Sequence, residues 1–157
     1  IDASSCGHGL LDFGEGVLSE ENAARHADLT ILDSVRWAEE YLLPGLEVTD
    51  KAESVTVHPT CSGRHMGLER ALTRIARAVA ERVEVPDTAT CCGFAGDRGM
   101  LHPELTASAT ETEAQEVKAV PTDRYVSSNR TCEVGLERAT GEPYGSFIYL
   151  LEEATRP

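Results

Sequence analysis

The sequence has no apolar run near the roughly 18–20 residues that a membrane span needs, and nothing that reads as a signal peptide. It has no Gly-x-Ser-x-Gly elbow, so the common serine-hydrolase arrangement is not expected. It has no Cys-x-x-Cys pair, the usual unit of a structural zinc site. Gly93, Gly96 and Gly99 recur every third residue but match no dinucleotide fingerprint; they read as turn formers. Basic residues are scarce, with 14 Lys and Arg against 27 Asp and Glu, for a net charge of −13. That balance argues against a nucleic-acid or anionic membrane surface, since both attract Lys and Arg. The acids read as solvated helix faces.

What remains is a chain of 157 residues with 41% apolar side chains, enough for one domain or a domain with a tail. It begins at Ile1 rather than Met, inside a loop-like motif, and is expected to be a fragment of a longer protein. Its five cysteines are an odd number, and without a signal peptide a reducing, cytoplasmic setting is expected. Four of them lie in polar stretches: His58-Pro59-Thr60-Cys61, Thr90-Cys91-Cys92-Gly93-Phe94-Ala95-Gly96, and Ser128-Asn129-Arg130-Thr131-Cys132. Structural cysteines favour apolar helices and strands, whereas cysteines gathered at loops are more often ligands or reactive thiols.

Periodicity supplies the frame. Ile1–Gly16 reads as a glycine-broken loop. Helices are expected over 31–43, stopped by Pro44-Gly45, and over 67–83, where Leu68, Leu72, Ile75 and Val79 form one stripe. Further helices are expected from His102-Pro103 to about Ala119, over 131–138, and over 145–154. Glu53–His58 alternates and is β-branched, and 83–85 and 124–127 are the other expected strands. Strand, loop and helix alternate, which predicts an α/β fold with a mostly parallel sheet and flanking helices. In such sheets ligands bind at the carboxyl ends of the strands. Each cysteine loop follows an expected strand, so the loops should converge at one edge.

Ser5-Cys6-Gly7-His8-Gly9-Leu10 aligns with Thr131-Cys132-Glu133-Val134-Gly135-Leu136. Both are followed by a Gly-Glu pair (Gly14-Glu15, Gly141-Glu142) and then by Tyr-Leu-Leu (Tyr41–Leu43, Tyr149–Leu151). This reads as a duplicated unit. On that reading residues 1–51 are the truncated tail of a first cysteine-rich unit and residues 52–157 are a complete one.

Twenty-nine residues separate Cys61 from Cys91-Cys92, and thirty-nine separate Cys92 from Cys132. Thiolates select zinc, copper(I) or iron–sulfur clusters. Adjacent cysteines chelate one tetrahedral ion poorly and suit a multi-iron cluster or a vicinal disulfide better. From the residues alone a cluster or metal site, redox thiols and inert cysteines all stay open. His58 and His65 flank Cys61 and could complete a metal shell, although a His at a strand end more often bonds only backbone. Arg98 and Arg130 could balance thiolates, or pair with nearby acids. Trp37, Tyr41 and Tyr144 read as packing residues.

The three cysteine segments resemble the cysteine-rich CCG domain of heterodisulfide reductase B subunits and the glycerol-3-phosphate dehydrogenase C subunit. Cys91–Asp97 together with Pro103–Ala109 resembles the C-terminal end of bacterial FAD-linked D-lactate or 2-hydroxyacid dehydrogenases. The resemblance implies FAD and ferredoxin-like domains upstream, hydride transfer to FAD, and relay through iron–sulfur centres towards a quinone or cytochrome. It implies a cytoplasmic protein, with a peripheral place at the inner membrane face through the full-length chain. By position it makes Cys61, Cys91, Cys92 and Cys132 the cluster ligands, with Cys6 the remnant of a second site. The fullest family pattern ends Cys-x-x-Cys, whereas here Gly135 and Gly9 stand at the second thiol. A four-cysteine cluster, a single metal, a Cys91-Cys92 dithiol and a vestigial interaction module therefore remain as alternatives. This stretch alone shows neither a flavin motif nor a substrate pocket, so it is not expected to oxidise substrate by itself.

Overall fold

The computed structural model describes residues 1–13 and 16–157. Four parallel strands form one sheet in the order β2-β1-β3-β4: β1 (Ala52–His58), β2 (Ala80–Glu84), β3 (Arg124–Ser127) and β4 (Tyr144–Ser146). Neighbouring β1 and β3 send their connections in opposite directions, which makes their carboxyl ends the switch point where such sheets bind ligands.

The strands alternate as a sheet covered on both faces requires. Val55, Val57 and Val126 point to one side. There they meet Leu72, Ile75 and Val79 of α5 (Glu69–Val79) and Phe147, Leu150 and Leu151 of α9 (Phe147–Thr155). Val35 and Ala38, from the first 51 residues, join this same core. Tyr125 and Tyr144 point to the other side, against Val117 of α7 (Pro103–Ala119) and Leu136 of α8 (Arg130–Thr140). The expected α/β architecture is the one observed.

Several expected elements differ in extent. The glycine-broken N-terminus contains a helix, α1 (Ser4–Leu11), while Gly14-Glu15 of the repeat lies outside the described residues. Glycine costs a helix about 1 kcal/mol relative to alanine, but here packing decides. Ser4 is buried with its Oγ 2.9 Å from Ser128 Oγ, and Gly7 lies against Asp33 and Met66. A second helix, α2 (Glu20–Ala27), was not expected, although Ser19 caps it and Glu20 and Glu21 open it. The helix expected over 31–43 starts only at α3 (Ser34–Trp37), because Asp33 Oδ1 accepts from Val35 N and caps it there. It continues as a π-helical turn over Ala38–Leu42 and ends in a 3-10 turn at Pro44. The helix expected to reach Val83 stops at Val79, because Ala80–Glu84 pair with β1 instead. Tyr144–Ser146 form β4 by pairing with β3, so the last helix starts at Phe147.

Two short helices interrupt the expected loops: α4 (Cys61–His65) and α6 (Arg98–Leu101). Between β2 and α6 the chain turns through Gly93 at φ 66°, Ala95 at φ 45° and Gly96 at φ 72°. A Cβ on Gly93 would lie 2.8 Å from Ala109 Cβ and 2.9 Å from the Leu105 carbonyl, whereas one on Gly96 meets nothing within 4 Å. Gly96→Ala should therefore carry only the left-handed penalty, about 1–2 kcal/mol. Gly93→Ala should cost roughly 1–3 kcal/mol more through overpacking. Urea unfolding of the two variants checks this, and equal losses would contradict the packing.

Candidate functional site at the carboxyl edge of the sheet

Each cysteine-bearing segment is set by local chemistry. Leaving β1 after His58, the chain passes through Pro59, and Thr60 Oγ1 accepts from Gly63 N at 3.0 Å, so Cys61 opens α4. The segment leaving β2 is tied to α7 by Glu116, whose carboxylate accepts from Asp87 N (2.7 Å), Thr88 N (3.1 Å) and Thr88 Oγ1 (2.7 Å). These bonds, led by the Thr88 hydroxyl, hold the Glu116 carboxyl below its usual range. Cys132 lies in the first turn of α8, where its N–H donates to the Asn129 carbonyl at 2.9 Å. Asn129 Nδ2 also reaches its sulfur at 3.7 Å.

Phe94 carries the doublet into the protein. Its ring is fully buried under the Arg138 guanidinium, 5.7 Å from the ring centroid. Cys92 and Cys132 pack beside it, both buried, with their sulfurs 2.9 Å apart. Cys91 faces the other way: its sulfur is exposed, accepts from Gly93 N at 3.4 Å, and neighbours the Cys61 thiol. The doublet therefore splits. Each member takes a partner from a different segment, Cys92 from α8 and Cys91 from α4.

The electrostatics follow from this pairing. Contact with Cys132 pulls the Cys92 thiol down to about 6, against the opposing effect of burial. The same contact, with burial, pushes Cys132 far above the ordinary thiol range. One proton is shared by the pair and is lost only with difficulty. Loss of solvation pushes Cys91 up, with the neighbouring Cys61 adding to the effect.

The other candidates sort themselves. Cys6 is exposed in α1, which packs on α4, and it is not among the main groups that act on Cys91, Cys92 or Cys132. His65 is exposed and stacks at 5.5 Å on His8. Arg130 is spent on Glu133, 3.0 Å away. Tyr144 is core, as expected, but Trp37 and Tyr41 are 45% and 64% exposed, which corrects their reading as packing residues. His58 is fully buried, with Nδ1 2.7 Å from Glu113 Oε1. Glu113 was not anticipated. Its signal was an acid on the inward stripe Thr106, Thr110, Glu113, Val117 of α7.

Among the described residues no three His, Cys, Asp or Glu side chains converge closely enough to hold one metal ion. Two thiolates on a tetrahedral zinc, with bonds of about 2.3 Å, would sit roughly 3.8 Å apart, farther than the 2.9 Å found for Cys92 and Cys132. The donor set, four thiols at one edge, suits a soft group with several metal atoms. The position of the absent thiol is filled: a Cβ on Gly135 would lie 3.0 Å from Thr106 Cγ2, 3.4 Å from Phe94 Cδ2 and 3.8 Å from Cys92 Cβ. A large open groove of about 710 Å³ runs along α5 past Arg64, Arg70, Arg74 and Arg77, and no cysteine lines it. Among the described residues no helix is long and apolar enough to cross a membrane.

This architecture, an all-parallel α/β sheet with a Cys-Cys-Gly loop and flanking single thiols, has a counterpart among known families. The chain belongs to the cysteine-rich domain (CCG) family, whose description matches residues 55–137, from β1 to α8. Over 160 residues, 97% of this chain, it is 23% identical to the glycolate oxidase iron-sulfur subunit of Escherichia coli (strain K12), of which the match covers 38%. Over 100 residues, 59% of this chain, it is 28% identical to lactate utilization protein A of Oceanobacillus iheyensis, of which the match covers 41%. The chain thus spans about two fifths of the length of these curated relatives.

The shared proton has a consequence for stability in the reduced, metal-free protein. Below about pH 6 both sulfurs are protonated. Between that value and the ordinary thiol value of 9.0 the folded pair holds one proton fewer than the unfolded chain, so stability should rise with pH. Above it the unfolded chain loses both protons while the folded one keeps the Cys132 proton, so stability should fall. Urea midpoints across this range should peak near the upper end of the window. The rise should flatten in Cys132→Ala, and an unchanged profile would contradict the pairing.

Proposed function

We propose that this chain is the iron–sulfur-binding, electron-transfer part of an oxidoreductase acting on small 2-hydroxy acids. The observation that carries the reading is the pairing of Cys92 with Cys132, in direct contact, and of Cys91 with Cys61 at the switch point of the sheet. Membership of the cysteine-rich family supports it, as do relatives named as an iron-sulfur subunit of glycolate oxidase and a lactate utilization protein.

The four cysteines would hold the cluster. When bound, such a cluster supplies one-electron transfer at a potential set by its surroundings. Phe94 and the α7–α8 face keep one side of the thiols dry, while exposed Cys91 opens the other to an approaching partner. Residues 1–51 would be the tail of a preceding cysteine-rich unit and 52–157 a complete one. Upstream FAD and ferredoxin-like domains would feed electrons in, D-lactate being the favoured substrate. A quinone or cytochrome would receive them, through a peripheral site at the inner face of the membrane.

A second reading is favoured by the 2.9 Å contact: Cys92 and Cys132 would act as a dithiol, giving two electrons and two protons to an acceptor as they form a disulfide.

The test is the iron, zinc and acid-labile sulfide content of protein purified without oxygen, beside Cys91→Ser/Cys92→Ser. Loss of iron and sulfide together in the variant is the expected result. No loss of either, with two wild-type thiols that titrate only after reduction, would replace the relay by the dithiol.

A further inference from the structure

We propose that His58, held by Glu113, is a nitrogen ligand of the thiol site, standing in for the second thiol that Gly135 leaves out. The proposal rests on the cluster reading above and extends its ligand set by one residue.

The first observation is a buried imidazole with one edge committed and one edge bare. His58 and Glu113 are both withdrawn from solvent, at 0% and 2% exposure. Their contact at 2.7 Å uses Nδ1. With Glu113 as a carboxylate Nδ1 is the donor, and in the neutral ring this leaves the lone pair on Nε2. Nε2 is buried and has no hydrogen-bond partner among the described residues. A carboxylate behind one ring nitrogen with a free lone pair on the other is the arrangement of metal-binding histidines, where the acid fixes tautomer and ring and raises basicity.

The second observation is place. In β1, Val55 and Val57 enter the α5–α9 core, so Thr56 and His58 lie on the α7–α8 face, the face that carries Cys132 and Leu136. His58 is the last residue of β1, three before Cys61, and it pairs in register with Ser127 at the end of β3. Ser127 Oγ donates to the His58 carbonyl at 3.0 Å, which fixes the strand end at the switch point. His58 lies near enough to Cys92 for a charge on the ring to act on that thiol.

The third observation is what surrounds position 135. Thr106 and Phe94 occupy the space into which a side chain there would grow. The fold has closed the usual entry for a fifth sulfur from α8. His58 Nε2, a buried nitrogen without a partner on this same α7–α8 face, is supplied from β1 instead.

The test is electron–nuclear double resonance on protein containing isotopically labelled histidine, purified without oxygen or reconstituted with ferrous iron and sulfide. The wild type should show hyperfine coupling of a directly bound imidazole nitrogen, and His58→Ala should lose it. Glu113→Gln keeps an acceptor for Nδ1 and should keep the coupling, with iron affinity lowered roughly 10–100-fold. Bound iron and sulfide without nitrogen coupling, or coupling that survives in His58→Ala, would overturn this proposal alone. If His58→Ala fails to fold, the wild-type spectrum decides. Absence of iron and sulfide from the wild type would bring down the cluster reading, and this proposal with it.

Discussion

Everything at the sheet edge depends on where Phe94 sits. Its ring is fully buried, and the backbone at Gly99 approaches it more closely than any side chain would allow. A Cβ on Gly99 would lie 2.7 Å from the ring, and one on Gly135 at 3.4 Å. Burial of a phenylalanine side chain is worth roughly 1.5–3 kcal/mol, and that gain draws the Cys-Cys-Gly loop down onto α7 and α8. With the loop seated, Cys92 is forced against Cys132 and Cys91 is left at the surface. The left-handed residues at 93, 95 and 96 are the backbone's accommodation to that seat.

The consequence is an asymmetric group of thiols. One pair is buried and shares a proton, and the other is partly open to solvent. A buried sulfur beside an aromatic ring and a half-exposed sulfur facing outward would place any bound group between a dry wall and a wet one, which is what an electron-transfer site needs. The acidic composition does not suit a nucleic-acid surface. The shared core of residues 35–38 with β1 and α5 ties the first third of the chain to the sheet it precedes.

Much of this was legible in the sequence because it rests on periodicity. The stripe of Leu68, Leu72, Ile75 and Val79 has one helical solution, and the β-branched Glu53–His58 has one strand solution. The elements that were misread rest on tertiary contacts. Ala80–Glu84 and Tyr144–Ser146 are strands only because β1 and β3 offer them partners. The glycines of α1 are tolerated because Ser4 and Gly7 are buried. The convergence of the cysteine segments could be inferred from strand order, but the split of the doublet could not, since it is decided by Phe94 packing and by φ angles that only the folded loop reveals. Glu113 was hidden for a related reason: an acid on a weakly amphipathic helix reads as solvated until the buried histidine opposite it is known.

The central claim is that the four thiols are ligands of one iron-containing group. Iron-edge anomalous diffraction from crystals grown without oxygen tests it most directly. The account predicts anomalous density within bonding distance of the sulfurs of Cys61, Cys91, Cys92 and Cys132. A Cys92–Cys132 thiol pair or disulfide with no iron density beside it, in protein shown to have been purified with its metals intact, would contradict it.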